Sequence, residues 1–361
     1  MKRLCIVQPR LTMYRLSIFE ELTRYYNVDL VYSPNNGKDS FCNPQKIISK
    51  KIRQYRFPLL KLFGNKFGLI QLGICKYMIR EKPDIIILGT NPRFLSFFQV
   101  LFFGKLLGID IYAHGHGLFK KKQINFLYRF MVKLILKLVK GYICYAPIVK
   151  KSFLDFGFSD KKLFVAENSL VNNFQVRPEE KTGKELGILF IGRLRKNSDF
   201  PLLINVMEKV RLETKFDLSL HVIGDGSEQK TLYEYSSQKS WIHLYGEIYD
   251  QLSIQKISQN CFLGCYPGNA GLSIVHMMSL SLPPITHNII IAHQGPEPSY
   301  IENGINGLLF DYYEPQKSLY ELIKKIIVSP KHIKDMQRAA FETYQSLTNP
   351  SLAMRLHSII E

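Results

Sequence analysis

The sequence predicts an α/β protein of two domains, each a parallel sheet flanked by helices, and three observations lead there. Short apolar runs alternate with longer helical segments along the chain, the pattern of strands joined by crossover helices. The length, 361 residues, corresponds to two domains at roughly 150 residues each. A polar stretch from Asn172 to Lys184, containing Pro178 and Gly183, separates the two series and reads as a linker.

In the first series the strands are Leu4–Val7, Val28–Tyr32, Ile85–Leu88, Ile109–Ala113 and Gly141–Cys144. The opening run Leu4-Cys5-Ile6-Val7 stops at Gln8-Pro9-Arg10, too short for a signal-peptide core and right for a buried strand. The apolar segment Phe94 to Ile109 is interrupted by Lys105 and reads as a helix on the sheet, since a membrane span needs about 20 residues. In the second series the strands are Leu186–Ile191, Leu218–Ile223, His243–Tyr245, Phe262–Tyr266 and Pro284–Ile285, with helices beginning near Phe200-Pro201 and running from Leu272 to Leu280. The expected organisation is a domain over 1–171, a linker over 172–184, a second domain over 185–340, and a C-terminal helix in 341–361 packing back on the first domain. Cys5, Cys42, Cys75, Cys144, Cys261 and Cys265 form no CxxC pair and no metal-ligand spacing, so they read as reduced structural residues.

The net charge is +18, and it is unevenly spread. Residues 1–180 carry 30 Lys and Arg against 12 Asp and Glu, an excess equal to that of the whole chain. Such a surface attracts polyanions, either nucleic acid or anionic lipid. Lys50, Lys51, Arg53, Arg56, Lys61 and Lys66 alternate with Tyr55, Phe57, Leu59, Leu60, Leu62, Phe63 and Phe67. Lys120 to Lys122 then lead into a helical segment in which Arg129, Lys133, Lys137 and Lys140 recur along one face. A basic amphipathic helix of this kind suits a membrane surface; a sheet-packing helix with a solvated basic face is the competing reading. RNA-binding signatures are missing, so no nucleic-acid partner is expected.

Chemistry concentrates in the second half. The strand ending at Ile191 runs into Gly192-Arg193-Leu194-Arg195-Lys196, where glycine allows close approach and the cations suit a diphosphate. Further strands end in Gly224-Asp225-Gly226, in Tyr245-Gly246, and in Pro267-Gly268-Asn269-Ala270-Gly271 before the helix from Leu272. Loop amides and a helix start at this last loop can hold an anion without a side chain.

The order of these motifs resembles the family 4 retaining glycosyltransferases of the GT-B fold, over nearly the whole chain and most strongly from Gly187 to Phe310. Gly192-Arg193-Leu194 is similar to the family's strand-Gly-Arg-Leu motif, Gly224 to Gly226 to its Gly-Asp-Gly turn, and Gly271-Leu272 to Leu282-Pro283 to its Gly-Leu-helix-Gly-Leu-Pro segment. Tyr300 to Phe310 is similar to the turn that closes the donor domain. The resemblance implies two Rossmann-like domains with parallel sheets facing a central cleft, the second holding a nucleotide sugar at Gly192, Arg195, Gly224, Gly226, Tyr245, Gly246, Gly268, Asn269, Ala270, Gly271, Leu272 and His276. Two positions depart from the pattern. Where the family usually has one glutamate for the donor sugar and another for the ribose, this chain has Gly268 and His276, as does a subgroup making bacterial surface polysaccharides. The family's lysine after the Gly-Arg motif would fall near Ser198 or Asp199, so Lys196 or Arg195 is expected to serve instead.

In the first half Gln8-Pro9, Tyr14, Arg15 and Phe19 resemble the subgroup's opening, which puts Tyr14 and Arg15 on the acceptor side. His114-Gly115-His116-Gly117 stands where the family often has a His-Gly near the reacting sugar, so His114 or His116 is the catalytic candidate beside Arg193 and Lys196. Asn168 resembles the asparagine ending the first domain.

The implied activity is metal-independent transfer with retention of configuration, from a nucleoside-diphosphate sugar to a lipid-linked or polysaccharide-precursor glycan. No cofactor or metal is expected, since there is no Asp-x-Asp motif. The expected location is the cytoplasmic side of a bacterial plasma membrane, on an anionic surface. The alternative is a non-catalytic nucleotide-sugar or membrane-lipid binding protein of the same fold.

Overall fold

The computed structural model describes every residue except 35–48, 63–67, 92–93 and 182–185. Cys42, Phe63, Lys66, Phe67, Gly183 and Lys184 therefore lie outside the described residues. The chain divides into two compact units, Met1–Val171 together with Pro350–Glu361, and Asn172–Asn349.

The first unit opens with β1 (Arg3–Val7), α1 (Leu16–Leu22), β2 (Asn27–Tyr32) and β3 (Arg53–Arg56). There follow β4 (Leu59–Leu62), β5 (Gly68–Gln71), α2 (Ile74–Glu81), β6 (Ile85–Gly89), α3 (Ser96–Leu106) and β7 (Asp110–Gly115). The series closes with α4 (Phe126–Leu138), β8 (Gly141–Cys144), α5 (Pro147–Asp155) and β9 (Leu163–Val165). Seven strands form a sheet in the order β3-β2-β1-β6-β7-β8-β9. All pair in parallel; β1 sits centrally, with Leu4 opposite both Val28 and Ile85. Leu4, Ile6, Leu30 and Ile87 are buried because helices cover both faces of such a sheet. β4 and β5 form an antiparallel hairpin with Leu60 opposite Ile70. Arg53 and Arg56, expected to serve a basic surface, have structural partners: Arg53 Nη2 lies 2.7 Å from the buried Asp29 carboxylate, and Arg56 Nε donates to the Tyr32 hydroxyl at 2.9 Å.

The second unit contains β10 (Leu186–Ile191), α6 (Phe200–Thr214), β11 (Leu218–Ile223), α7 (Gln229–Ser236), β12 (Ile242–Gly246) and α8 (Gln251–Gln259). It continues with β13 (Cys261–Cys265), α9 (Ser273–Ser279), β14 (Pro284–His287), β15 (Leu308–Phe310), α10 (Pro315–Val328) and α11 (Ile333–Thr348). Its six strands are ordered β12-β11-β10-β13-β14-β15, all parallel. The strand order reverses between β10 and β13, the point at which open parallel sheets bind ligands beyond their carboxyl ends.

The described part of the expected linker is packed. Asn172 Nδ2 donates to Ser279 Oγ at 2.8 Å, Val176 N donates to the Ser279 carbonyl at 3.2 Å, and the buried Lys181 ammonium donates to the Ser258 carbonyl at 2.7 Å. These bonds make it part of the second unit. The helix expected within 341–361 is also two pieces: α11 stops at Thr348, and α12 (Leu352–Ile360) belongs to the first unit. Pro350 explains the break, because the residue before a proline is pushed out of helical geometry, and Asn349 is extended at φ −132°. Leu352, Ala353, Leu356 and Ile360 of α12 join a core with Phe19, Leu22 and Tyr26, and His357 Nδ1 lies 2.9 Å from the Tyr26 hydroxyl. Cys5, Cys75, Cys144, Cys261 and Cys265 are free thiols, all buried except the half-buried Cys75.

Candidate active site

Three loops of the second unit converge at the carboxyl ends of β10, β11 and β13. Gly192, at φ +148°, follows β10; a Cβ there would stand 2.7 Å from Ser273 Oγ and 2.9 Å from the Tyr266 ring, so only glycine permits this approach. Gly192 N donates to the Ile223 carbonyl and Leu194 N to the Asp225 carbonyl, both at 3.0 Å, while Gly224 N donates to the Gly246 carbonyl at 2.7 Å. Ser198 is the knot of the first loop: its hydroxyl donates to the Arg193 carbonyl at 2.6 Å, accepts from Arg195 N at 3.0 Å, and lies 3.0 Å from the Tyr266 hydroxyl. With Ser198 buried, Arg193 and Arg195 remain half-buried and Lys196 is exposed beside it.

The loop after β13 is held by its own backbone. Gly268 N donates to the Ser198 carbonyl at 3.1 Å and Asn269 N to the Asn197 carbonyl at 2.8 Å. Ala270 N donates to His293 Nδ1 at 3.1 Å, and His293 Nε2 donates to the His287 carbonyl at 2.9 Å. One ring nitrogen accepts and the other donates, so His293 is a neutral imidazole. It stacks on His287 with centroids 3.7 Å apart. The amides of 268–270 are thus already used, contrary to the expectation that this loop would offer them to an anion. Among the described residues the N–H groups of Gly271, Leu272 and Ser273 have no protein partner, so the donors available to a ligand lie one step further along.

Tyr245 and His276 are two further expected donor residues. Tyr245 has its hydroxyl 2.9 Å from His221 Nδ1, and its ring lies parallel to that imidazole. His276 lies on α9, half-buried; desolvation lowers its pKa from 6.5 to about 4, and its imidazole has no hydrogen-bond partner among the described residues.

In the first unit, β7 carries His114 to its carboxyl end. Arg15 is buried, and its guanidinium donates to the Tyr145 hydroxyl at 3.0 Å and to Asn168 Oδ1 at 3.3 Å, with no carboxylate among its hydrogen-bond partners in the described residues. The rings of His114 and His116 meet Tyr145 at 4.5 and 4.8 Å. Burial pushes the His114 pKa well below 6.5, reinforced by Arg15 and then His116; His116 falls to about 4 by burial, then Lys120 and Arg15. His114 Nε2 and His116 Nδ1 are buried without a hydrogen-bond partner among the described residues. Both imidazoles are neutral and each has a nitrogen to offer. Tyr14, exposed, lies beside Arg15, whose guanidinium is 5.8 Å from its ring. Tyr145 escaped the sequence reading because it follows strand β8 with no motif around it.

Residues 172–343 match the family model described as Glycosyl transferases group 1. Across the full chain the structure is similar to HepE from Anabaena, crystallised with UDP and glucose, at 15% identity and a TM-score of 0.71, covering 100% of this chain and 98% of that one. The lipopolysaccharide outer core galactosyltransferase WaaB is similar at 16% identity and a TM-score of 0.71, covering 100% and 99%. The pneumococcal O-GlcNAc transferase GtfA, in complex with UDP and GlcNAc, is similar at 9% identity and a TM-score of 0.71, covering 99% and 98%. The fold is that of the GT-B glycosyltransferases. No curated protein sequence matches the chain.

A Cβ on Gly268 would overlap the Asn197 carbonyl and the Ser198 backbone, so this position has no room for any side chain.

Proposed function

We propose that the protein is a retaining glycosyltransferase, moving a sugar from a nucleoside-diphosphate sugar to a hydroxyl of a lipid-linked or polysaccharide-precursor glycan in bacterial capsule, O-antigen or exopolysaccharide synthesis. The observation that carries this reading is the convergence of Gly192-Arg193, Gly224 to Gly226 and the unpartnered amides of Gly271 to Ser273, inside the region that matches Glycosyl transferases group 1. Phosphate oxygens accept from amides and guanidinium groups. As the nucleoside diphosphate leaves the anomeric carbon, Arg193, Arg195 and Lys196 stabilise the charge that develops, which removes the need for a divalent cation. The acceptor hydroxyl attacks from the same face and gives its proton to the departing phosphate oxygen. His114 and His116, neutral and each with an unpartnered nitrogen, are assigned to sugar hydroxyls near the reaction, and Arg15 with Tyr14 to the acceptor.

The test is release of nucleoside diphosphate from a panel of nucleotide sugars, with a lipid-diphosphate sugar as acceptor and with EDTA in a parallel series. UDP-glucose comes first, because HepE from Anabaena is crystallised with UDP-glucose. No release from any donor would overturn the reading. Gly268, bare where a sugar-contacting glutamate is usual, favours a second one, nucleotide-sugar binding without transfer; affinity without turnover would select it.

The reading includes an anionic membrane surface as the working place. On α4, Phe126 is 83% exposed and Phe130 58%, and together with the exposed Lys133 and Lys137 they fall within one narrow stripe at 100° per residue. Leu127, and Leu106 at the end of α3, are 73% and 81% exposed. Apolar tips followed by lysines suit the headgroup boundary of an anionic bilayer. The other two cations expected on that face have structural partners: Arg129 donates to the Phe156 carbonyl at 2.7 Å, and Lys140 pairs with Asp110 at 2.6 Å. Among the described residues no helix is long and apolar enough to cross a membrane.

A further inference from the structure

We propose that Glu297 binds the hydroxyls of the donor sugar. This rests on the donor reading above. The loop from β13 offers little else for a polyhydroxyl ligand: Gly268, Ala270 and Gly271 have no polar side chain, and Asn269 Oδ1 lies 3.4 Å from His287 Nε2. Within the second unit, sugar recognition then falls to a neighbouring segment, and the segment after β14 is bound directly to this loop. Gln294 N donates to the Ala270 carbonyl at 2.9 Å and Gly295 N reaches the same oxygen at 3.4 Å. Glu297 follows within that segment, 1% exposed. A Cβ on Gly295 would overlap the Glu297 carboxylate, so glycine at 295 is what lets the carboxylate lie there. The same carboxylate oxygen, Oε2, lies 3.8 Å from where a Cβ on Gly271 would stand. A carboxylate is thereby fixed beside the first of the three unpartnered amides. Hydroxyl groups donate to a carboxylate, and charge-assisted bonds of this kind are stronger than neutral ones. In this arrangement the amides and cations take the diphosphate and Glu297 takes the sugar.

Calorimetry with nucleoside diphosphates and their sugar conjugates, UDP and UDP-glucose first and then the GDP, dTDP and ADP pairs, separates the two halves of the ligand. For the donor that wild type binds, Glu297→Gln should weaken the nucleotide sugar about tenfold and leave the free diphosphate within about twofold, as loss of a charged hydrogen bond confined to the sugar requires. Equal changes in both ligands, or no change in either, overturn the assignment while the donor reading stands. Wild type binding none of the panel removes the donor reading and this role with it. If Glu297→Gln does not fold, Glu297→Asp, which keeps the charge and withdraws it from Gly271, is held to the same two affinities.

Discussion

The N–H of Asn269 donates to the carbonyl of Asn197 at 2.8 Å, and that bond closes the space beside Gly268. Gly268→Ala should therefore force the two loops apart, with a loss of about 1–3 kcal/mol in stability from overpacking. Nucleoside-diphosphate affinity should fall with it. A variant whose thermal midpoint and affinity match wild type would show that the loops yield freely.

Arg193→Ala should reduce kcat/KM more than about tenfold while the thermal midpoint stays near wild type, since its task is charge on the leaving group. Steady-state rates and a melting curve decide this together. A smaller kinetic loss with normal donor binding would move the role to Arg195 or Lys196.

His276 has no hydrogen-bond partner among the described residues, and a ribose hydroxyl would supply one. His276→Gln should retain most of the affinity for the free nucleoside diphosphate, because an amide also donates and accepts. His276→Leu should lose roughly 1–2 kcal/mol of it. Equal calorimetric affinities for Leu and wild type would make His276 packing only.

His276 and His116 each have a pKa of about 4 in the folded chain, against 6.5 ordinarily, because burial disfavours the charged ring. Between these values the unfolded chain binds protons that the folded chain does not. Stability is then complete above about 6.5 and declines as pH falls toward about 4. Melting midpoints measured from pH 7 down to pH 4.5 should show this slope, and His276→Gln should flatten part of it. An unchanged slope in that variant would show that folding does not lower the His276 pKa.

The 361-residue chain should sediment with anionic liposomes and be released by salt. Phe126→Ser with Phe130→Ser should weaken this binding, as should Lys133→Gln with Lys137→Gln, the latter also reducing its salt dependence. Binding to neutral liposomes of equal strength, or tighter binding to RNA, would contradict the assignment of this surface.

The buried strands were legible in the sequence because a parallel strand covered on both faces is a near-continuous apolar run, as in Ile188-Leu189-Phe190-Ile191. β3 and the β4–β5 hairpin were not, since Arg53, Arg56 and Lys61 punctuate them and periodicity cannot show that Asp29 awaits Arg53. In the site, Gly192 and Gly224 stand out as turns after strands. Glu297 does not, because its place beside Gly271 depends on a loop crossing that joins positions distant in sequence. His293 is hidden for the same reason: a lone histidine in Ala292-His293-Gln294 says nothing of the amide it will accept.

The return of α12 to the first unit bears on how the protein is made. A ribosome delivers Leu352, Leu356 and Ile360 only after residues 172–349, so the core that Phe19, Leu22 and Tyr26 begin stays incomplete until synthesis has passed through the whole second unit. Residues 172–349 can finish folding first, whereas a fragment ending at Val171 would leave that core open to water and to other chains.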